Sequence, residues 1–325
     1  MINQEVLHYC AASLPIVIGG IGGGLGLGIA SSGTINAMTR QASGSDQCFR
    51  ATLIGLALIE SGSIISLVVT LLALIQTIKP YSLGFAFAET GISLGVGIAA
   101  AAISIASGCV VKAATTAIAR QPFFAHKILT MMTLSQTIIE APVILAFIVN
   151  FSARTLISPS FTLFEGLQFF SAGFVIALGC IGPSIGQAMF AFAACKAVGT
   201  NKNAYNKIFP FTLLNEALIE TPMIFCLLFA FLILYSPTPT GAHLSILPFL
   251  MFLVAAITIG LGSLGSCISM GYVASKAVTQ IACDINNQPS ILRLSLLSIA
   301  FIESAVIYAL IVALFILRNG PWLVC

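Results

Sequence analysis

The chain has 325 residues, of which 58% are hydrophobic and only 7% are charged, and its formal net charge is +3. A soluble domain needs more polar surface than this composition supplies, which excludes soluble enzymes and soluble binding domains. The sequence therefore predicts an integral, multi-pass membrane protein.

Eight runs with few or no charges are each long enough to cross a membrane as a helix. In chain order they are 10–39, 51–78, 88–111, 128–151, 166–195, 208–235, 246–275 and 294–317. The connections between them are short and leave no room for a soluble domain. Strands of a membrane barrel would alternate apolar and polar residues, which these runs do not. We expect an all-α protein with eight transmembrane helices.

Most of the positive charge lies in the connections that follow the odd-numbered spans. Ten of the thirteen Lys and Arg residues are there: Arg40, Arg50, Lys112, Arg120, Lys127, Lys196, Lys202, Lys207, Lys276 and Arg293. The opposite side holds Lys79, Arg154 and Arg318. The positive-inside rule then predicts that these four loops face the cytoplasm, as in a bacterial inner membrane, and that both termini lie outside.

The nine Cys residues are scattered through apolar runs, with no CxxC pair and no His at metal-ligand spacing. We therefore expect no disulfide framework, no metal site and no other cofactor. The first residues, MINQEVLHYC, carry no Lys or Arg ahead of the apolar stretch and do not resemble a cleaved signal peptide. Membrane lipid is an expected partner and nucleic acid is not.

The first span contains the segment GIGGGLGLG, residues 20–28, in which every second residue is Gly. The equivalent positions of the third, fifth and seventh spans are also small: Ala100, Ala102, Ser104, Ala106, Gly108; Cys180, Gly182, Ser184, Gly186, Ala188; Ser263, Gly265, Cys267, Ser269, Gly271. Alternate residues of a helix lie on nearly opposite flanks, and small residues let helices approach closely in lipid. Each of these helices can therefore have a close neighbour on both sides, as in a closed ring.

One Glu recurs deep in each even-numbered span, as Glu60, Glu140, Glu220 and Glu303, at intervals of 80, 80 and 83 residues. The surrounding text repeats with it, as ALIESGSII, TIIEAPVIL, ALIETPMIF and AFIESAVIY. The chain thus contains four tandem helical hairpins, 1–80, 81–160, 161–240 and 241–325. Each hairpin has two spans, so all four enter the membrane the same way round, unlike the halves of inverted-repeat transporters.

A buried carboxyl group can be a purely structural hydrogen-bonding group, but four at one period, each beside a small-residue helix, indicate function. Ionisable groups inside membrane spans are costly and are functional candidates by default. Desolvation favours the neutral carboxylic acid, so such a group can hold a proton while it faces lipid and release it beside a fixed cation. This is the behaviour of a carrier site on a moving part.

Together these features resemble the proteolipid that forms the membrane rotor of the rotary ATP synthases, the c-type proteolipid, four times over. The family's hairpin has a Gly-alternating first helix, a polar loop often reading Arg-Gln-Pro, and an ion-carrying carboxylate in the second helix. The matching loop residues are Arg40, Gln41, Arg120, Gln121 and Pro122. Thr200-Asn201 and Cys283-Asp284 depart from this pattern in the last two hairpins. The loop favours the F-type branch over the vacuolar and archaeal branches, in which fused hairpins are commoner.

The resemblance implies that the four hairpins form an arc of a homo-oligomeric membrane ring, the c-ring. Each Glu would exchange an ion with a stator subunit that carries an intramembrane Arg, and the loops would transmit torque to the central-stalk subunits. The chain would have no catalytic residues and bind no nucleotide. The main alternative is a channel or transporter made of four hairpins in one eight-helix monomer, and a second is a structural membrane protein.

Sodium-carrying members of the family surround the Glu with further oxygen ligands, whereas a proton needs only the carboxyl group and one partner. Candidate supporting ligands in this chain are Ser61, Ser107, Gln187, Thr221, Ser304 and Tyr308. No hairpin has the full set of Gln, hydroxyl and Tyr, because hairpin 3 has Phe225 and hairpin 4 has Met270 in place of one member. We therefore expect protons to be the transported ion, with sodium as the alternative.

Three further carboxylates have separate interpretations. Glu216, one turn before Glu220, is interpreted as a neutral, hydrogen-bonded side chain or as a second carboxyl that shares the proton. Glu89 and Glu165 lie near the start of their spans, where a carboxylate suits a helix N-terminus. Proline follows the carrier Glu by two residues in hairpins 2 and 3, which predicts a kink and a free carbonyl beside the site.

Overall fold

The computed structural model describes residues 4–75, 82–237 and 247–318. In that part of the chain the regular structure is helical throughout, with no strand, which confirms the predicted fold class. The α-helices are α1 Gln4–Arg40, α2 Ser45–Ile75, α3 Leu83–Arg120, α4 Ala125–Ile139, α5 Ala141–Leu156, α6 Leu163–Thr200, α7 Tyr205–Leu234, α8 Leu247–Cys283 and α9 Gln288–Arg318. With α4 and α5 forming one span, eight segments of the described residues are long and apolar enough to cross a membrane. The chain is a multi-pass membrane protein.

The helices are longer than the apolar runs that predict them. Helix α3 has 38 residues, which corresponds to about 57 Å at 1.5 Å per residue, whereas the apolar core of a bilayer is about 30 Å thick. The sequence predicts only the part of each helix that lies in hydrocarbon, because hydropathy marks where the apolar layer ends and not where the helix ends. The helical hairpins therefore project beyond the apolar layer.

Four hairpins stand side by side in two rows. The first helices, α1, α3, α6 and α8, contact each other in series, and each also packs against its own second helix. The second helices have much sparser contacts with one another. The two rows therefore form an arc, in which the first helices lie close together on the inner side and the second helices are spread apart on the outer side. The hairpin boundaries at 80/81 and 240/241 lie outside the described residues, and the boundary at 160/161 falls between α5 and α6.

Small residues on both flanks of the first helices make the narrow row possible. A β-carbon at Gly108 of α3 would collide with the backbone of Gly26 in α1. The same relation joins Gly271 of α8 to Gly186 of α6. A side chain at either position would push the helices apart, since backbone lies directly opposite.

The two ends of the row leave their outer flanks open. On α1, Gly20, Gly24 and Gly28 would meet nothing within 4 Å if they carried a β-carbon, and the same is true of Gly265 on α8. These residues belong to the same two small-residue stripes that pack against neighbours inside the chain. The row therefore begins and ends on surfaces whose interior equivalents are helix–helix contacts.

The four connections 41–44, 121–124, 201–204 and 284–287 lie at one end of the bundle, which we call the loop end, and the opposite end is the terminal end. Gln41, Gln121 and Asn201 have similar extended φ values of −145°, −134° and −137° and precede a short 3-10 turn. Asn201 and Asp284 replace the Gln of the first two hairpins, and each accepts a hydrogen bond from the backbone N–H two residues later. The loops of the last two hairpins thus differ in sequence but keep a local turn.

Candidate functional site

Each of the four repeated carboxylates lies near the middle of a second helix. Glu60 lies in α2, Glu140 between α4 and α5, Glu220 in α7 and Glu303 in α9. Glu60 is exposed and the other three are half-buried. Because the second helices fan apart, these side chains lie where one hairpin meets the next.

A hydroxyl group of the preceding hairpin contacts one of these carboxyl groups directly. Thr221 Oγ1 lies 2.9 Å from Glu303 Oε1, across the junction between hairpins 3 and 4. Thr221 Oγ1 is also 2.8 Å from the carbonyl oxygen of Leu218, to which it can donate. A hydroxyl has one hydrogen, so it cannot donate to both oxygens. Both contacts are satisfied together when Glu303 is protonated and donates to Thr221, which in turn donates to Leu218.

Ser61 occupies the corresponding position beside Glu140, across the junction between hairpins 1 and 2, but makes no hydrogen bond of good geometry to it. Its hydroxyl donates to the carbonyl oxygen of Leu58 at 2.8 Å, and Glu140 Oε1 is buried with no hydrogen-bond partner among the described residues. The oxygen of Ser61, like that of Thr221, can therefore accept from a neighbouring acid. In this register Ala141, which has no hydroxyl, is the residue that corresponds at Glu220.

The supporting residues of the last hairpin lie at the open edge of the row. Ser304 donates to the carbonyl of Phe301 at 2.7 Å, and the Tyr308 side chain is 64% exposed. Within the described chain no further hairpin follows α9, so neither residue meets a carboxylate of a following hairpin. Among the described residues, no hairpin precedes that of Glu60, at the other open edge.

Gln187 and Ser107, the other predicted ligands, are buried on the first helices. Gln187 Nε2 donates to the backbone carbonyl of Glu216 at 3.1 Å, one turn before Glu220, and its Oε1 has no hydrogen-bond partner in the described part of the chain. The Oγ of Ser107 is likewise buried without a partner there. The structure therefore brings Thr221 to Glu303 and Ser61 to Glu140, but it does not gather Gln187, Ser107 and Tyr308 around one carboxylate.

Glu216 is completely buried between hairpins 2 and 3. Its carboxyl group lies beside Ser135 of α4, yet neither carboxyl oxygen makes a hydrogen bond of good geometry within the described residues. Gln136, the equivalent residue of hairpin 2, donates from Nε2 to the carbonyl of Gly55 at 3.2 Å. Both side chains therefore reach back to the second helix of the preceding hairpin, and the predicted hydrogen bond of the Glu216 carboxyl group is absent among the described residues.

The helix is interrupted beside Pro142, at Glu140, but it is continuous beside Pro222, at Glu220. Pro142 has no N–H to donate to Ile138, and the helix is interrupted at Glu140, where Val143 N donates to the Glu140 carbonyl at 3.2 Å. The predicted disturbance is thus confirmed in hairpin 2. In hairpin 3, Pro222 lies inside the continuous helix α7, so no helix break accompanies it.

The predicted loop residues lie together at the loop end. Arg40, Gln41 and Arg120 are exposed, and Gln121 and Pro122 are half-buried. Gly44 of the first loop approaches Pro122 of the second, so that its β-carbon would lie 3.2 Å from Pro122 Cγ. These neighbouring loops are therefore in contact.

One polar cluster at the terminal end was not predicted. Glu89 is fully buried; its carboxylate lies 2.6 Å from His8 Nδ1 of α1 and 3.4 Å from Arg154 Nη1 of α5. Arg154 also donates from Nε to Asn150 Oδ1 at 3.0 Å. The interpretation of Glu89 as a helix N-terminal carboxylate is wrong, because it lies in the second turn of α3 and is neutralised by side chains of other helices.

The same interpretation is confirmed for Glu165, which forms a capping box with Thr162 at the start of α6.

The sequence did hold a signal for the cluster around Glu89. At the next junction the residues equivalent to His8, Glu89 and Arg154 are apolar: Ala88, Phe169 and Leu234. His8, Glu89 and Arg154 are polar where the repeat is apolar, and this shared departure could have predicted that they contact one another.

Lys79 lies outside the described residues, so its place in the predicted charge asymmetry is not described. Within the described ranges, no group of three or more His, Cys, Asp or Glu residues could hold a metal ion.

Comparison with known proteins gives the same fourfold division. The family model of the ATP synthase C subunit matches residues 10–73, 83–152, 170–233 and 253–316, well over half of the chain. The chain is 41% identical over 70 residues to an ATP synthase c subunit of Synechococcus sp., covering 22% of this chain and 85% of that protein. It is 33% identical over 69 residues to an ATP synthase c subunit of Dehalococcoides mccartyi, covering 21% of this chain and 91% of the relative.

The cluster around Glu89 makes a specific prediction about stability. Arg154→Leu alone should destabilise the chain by about 3 kcal/mol, since it leaves a buried carboxylate with half of its compensation. The triple variant His8→Ala/Glu89→Phe/Arg154→Leu copies the apolar residues of the next junction and should recover stability to within about 1 kcal/mol of the unchanged protein. Denaturant unfolding in detergent, followed by circular dichroism, measures both. A triple variant less stable than Arg154→Leu would contradict this account.

Proposed function

Because this chain belongs to the family of ATP synthase C subunits, we propose that it forms the rotor ring of a rotary ATP synthase and carries protons on Glu60, Glu140, Glu220 and Glu303. Four hairpins of the family are fused in one chain. The observation that carries the proposal is the contact between Thr221 and Glu303, in which the carboxyl group of one hairpin meets a hydroxyl of the hairpin before it. Each carboxyl group has the same place beside the preceding hairpin, where the corresponding residue is a hydroxyl residue for Glu140 and Glu303 and Ala141 for Glu220.

The proposed mechanism depends on the charge of the carboxyl group. Protonated and neutral, it can face lipid and pass round with the ring. An intramembrane Arg of the stator attracts the deprotonated carboxylate, so the proton leaves to one side and another enters from the other. Each charge moved across 100 mV gains about 2.3 kcal/mol. The loops transmit torque to the central-stalk subunits, and this chain takes no part in the chemistry on nucleotide.

The oxygen atoms around the carboxyl groups support a proton rather than sodium. Sodium and other hard cations need several oxygen ligands, whereas a proton needs one acceptor. At Glu220 the register offers Ala141, which supplies no hydroxyl; Gln187 donates from Nε2 to the Glu216 carbonyl, and only its Oε1 is left as an oxygen ligand. A ring must carry the same ion at every site, so the poorest site sets the choice.

Ring closure follows from the open edges of the row. The stripe with Gly265 on α8 would pack against Gly20, Gly24 and Gly28 on α1 of the next copy, as equivalent residues do inside the chain. The same step would bring Ser304 of one copy to Glu60 of the next, which completes the exposed site. A monomeric channel gives no role to these open flanks. The number of hairpins in a homomeric ring must then be divisible by four.

The charge distribution supports an orientation for this ring. The loop end carries most of the Lys and Arg residues and is proposed to face the cytoplasm, where the stalk would contact Arg40, Gln41, Arg120, Gln121 and Pro122. The terminal end, with both chain termini, would then lie outside. The surrounding membrane is proposed to be of the bacterial inner-membrane type.

A hydrophobic carbodiimide should modify all four carrier carboxyl groups, because it reacts with protonated carboxyls exposed to lipid. Glu216 should remain unmodified in the same sample, since it is completely buried. Peptide mapping by mass spectrometry measures the labelling. Added sodium at fixed pH should leave the rate unchanged, and protection by sodium would reverse the choice of ion.

Glu140→Gln should nearly abolish coupled transport while leaving the ring assembled. Gln can cross the lipid but cannot ionise to meet the stator Arg, so every chain contributes one step without the driving energy of a moved charge. ATP-driven proton pumping by vesicles measures this. The matched control is Glu216→Gln, which should pump normally because Glu216 is not a carrier. Pumping by the Glu140 variant above half of the wild-type rate would contradict the requirement that all four sites work in series.

Gly24→Leu and Gly26→Leu should fail at different stages, although they lie two residues apart on α1. Gly26 faces the Ser104 backbone inside the chain, so Leu there should destabilise the separated chain by about 1–3 kcal/mol. Gly24 has open space, so Leu there should leave the separated chain folded and block the ring. Thermal unfolding of separated chains and native electrophoresis of the assembled protein measure the two effects. Normal ring assembly by Gly24→Leu would refute the proposed junction.

A further inference from the structure

A basic cavity of about 410 Å³ lies at the loop end, between the first helices of hairpins 1, 2 and 3. Its wall includes Arg40 of α1, Lys112 and Arg120 of α3, and Lys196 of α6. Uncharged polar side chains, among them that of Thr116, also line it. It lies at the opposite end of the bundle from the cluster around Glu89, and none of the four carrier carboxylates lines it.

The cations of this cavity have no negative charge to balance them within the described chain. The lining contains no Asp or Glu, and no carboxylate of the described residues lies within salt-bridge distance of Arg40, Lys112, Arg120 or Lys196. Like charges held around one concave space raise each other's energy, and an anion in that space removes the cost. At the terminal end, by contrast, Arg154 has its carboxylate partner.

Packing contacts hold the side chains of Lys112 and Lys196 against neighbouring residues. The stem of Lys112 lies against Gly33 of α1, where a β-carbon would collide with Lys112 Cγ. Lys196 Nζ lies 4.5 Å from the centre of the Phe192 ring, a cation–π contact that holds the ammonium group at the cavity wall. These contacts place both lysine side chains at the cavity wall, although both residues are exposed.

The two lysines of the cavity are not part of the repeated pattern, whereas Arg40 and Arg120 occupy equivalent positions of the first two hairpins. The residues equivalent to Lys112 in the other hairpins are Ser32, Phe192 and Ser275. The equivalents of Lys196 are Asn36, Thr116 and Thr279. A role in ion transport would be expected at every hairpin, whereas these two lysines make one cavity for each chain.

We propose that this cavity binds a phosphate group, one for each chain. Arg offers paired N–H donors that match phosphate oxygens, and Lys adds a compact positive charge. The chemistry is shared by two sources, the headgroup of an anionic phospholipid and free inorganic phosphate. The cavity lies where the apolar spans end, at the depth of lipid headgroups, which favours the lipid. Binding is counted for each chain, so it does not depend on the proposed transport activity.

Native mass spectrometry of the full-length protein in its purified oligomeric state tests this. After lipid removal, phosphatidylglycerol, phosphatidylcholine or inorganic phosphate is added. Lys112→Gln/Lys196→Gln removes two charges from the cavity, and Lys202→Gln/Lys207→Gln removes two charges from the same end outside it; all four lysines are exposed. Wild type and the second variant should retain one phosphatidylglycerol per chain, and the first variant should bind it about tenfold more weakly.

The arms of the experiment distinguish the two sources. Retention of phosphatidylglycerol against millimolar inorganic phosphate supports a lipid site, and displacement by phosphate with equal loss in the Lys112 and Lys196 variant supports a free-phosphate site. Equal binding by both double variants would overturn the proposal, as would phosphatidylcholine binding as tightly as phosphatidylglycerol. Failure of the wild type to bind either anion would overturn it as well.

Discussion

Close backbone packing between the first helices is the constraint on which the rest of this structure depends. Gly26 against Gly108 and Gly186 against Gly271 leave no room for a side chain, so neighbouring first helices have little freedom to slide or rotate. Each second helix is carried by its own first helix through a short turn. The depth of every carboxyl group, and the distance from it to the preceding hairpin, are therefore fixed by contacts between small residues on the other row.

The features of the fold that depend on the period of the sequence could be predicted from it. The recurrence of Glu at intervals of 80, 80 and 83 residues predicted one carboxyl group deep in each second helix, and alternating small residues predicted a row of helices packed on both flanks. Periodicity identifies the face of a helix but not what covers it. The sequence therefore could not predict that Glu303 contacts Thr221 of another hairpin, or that Glu89 contacts His8, 81 residues away. Likewise, the prolines that follow Glu140 and Glu220 occupy equivalent positions, yet only the first accompanies a helix break.

Fusion of the hairpins allows each junction to differ. The first junction has a buried ionic cluster at the terminal end, the second encloses Glu216, and the third has the contact between Thr221 and Glu303. A ring of identical separate hairpins would have to repeat any such feature at every junction. In one chain, a polar group that would be costly many times over occurs once, where specific neighbours compensate it.

The direction of the contact between Thr221 and Glu303 has a genetic consequence. The hydroxyl belongs to one hairpin and the carboxyl group to the next, so the phenotype of a substitution is displaced along the gene by almost one repeat. A suppressor of a lesion at Thr221 is to be sought around codon 303, not around codon 220. For Ser304 in the proposed ring, the compensating change lies near codon 60 and acts in trans, between two copies of the same product.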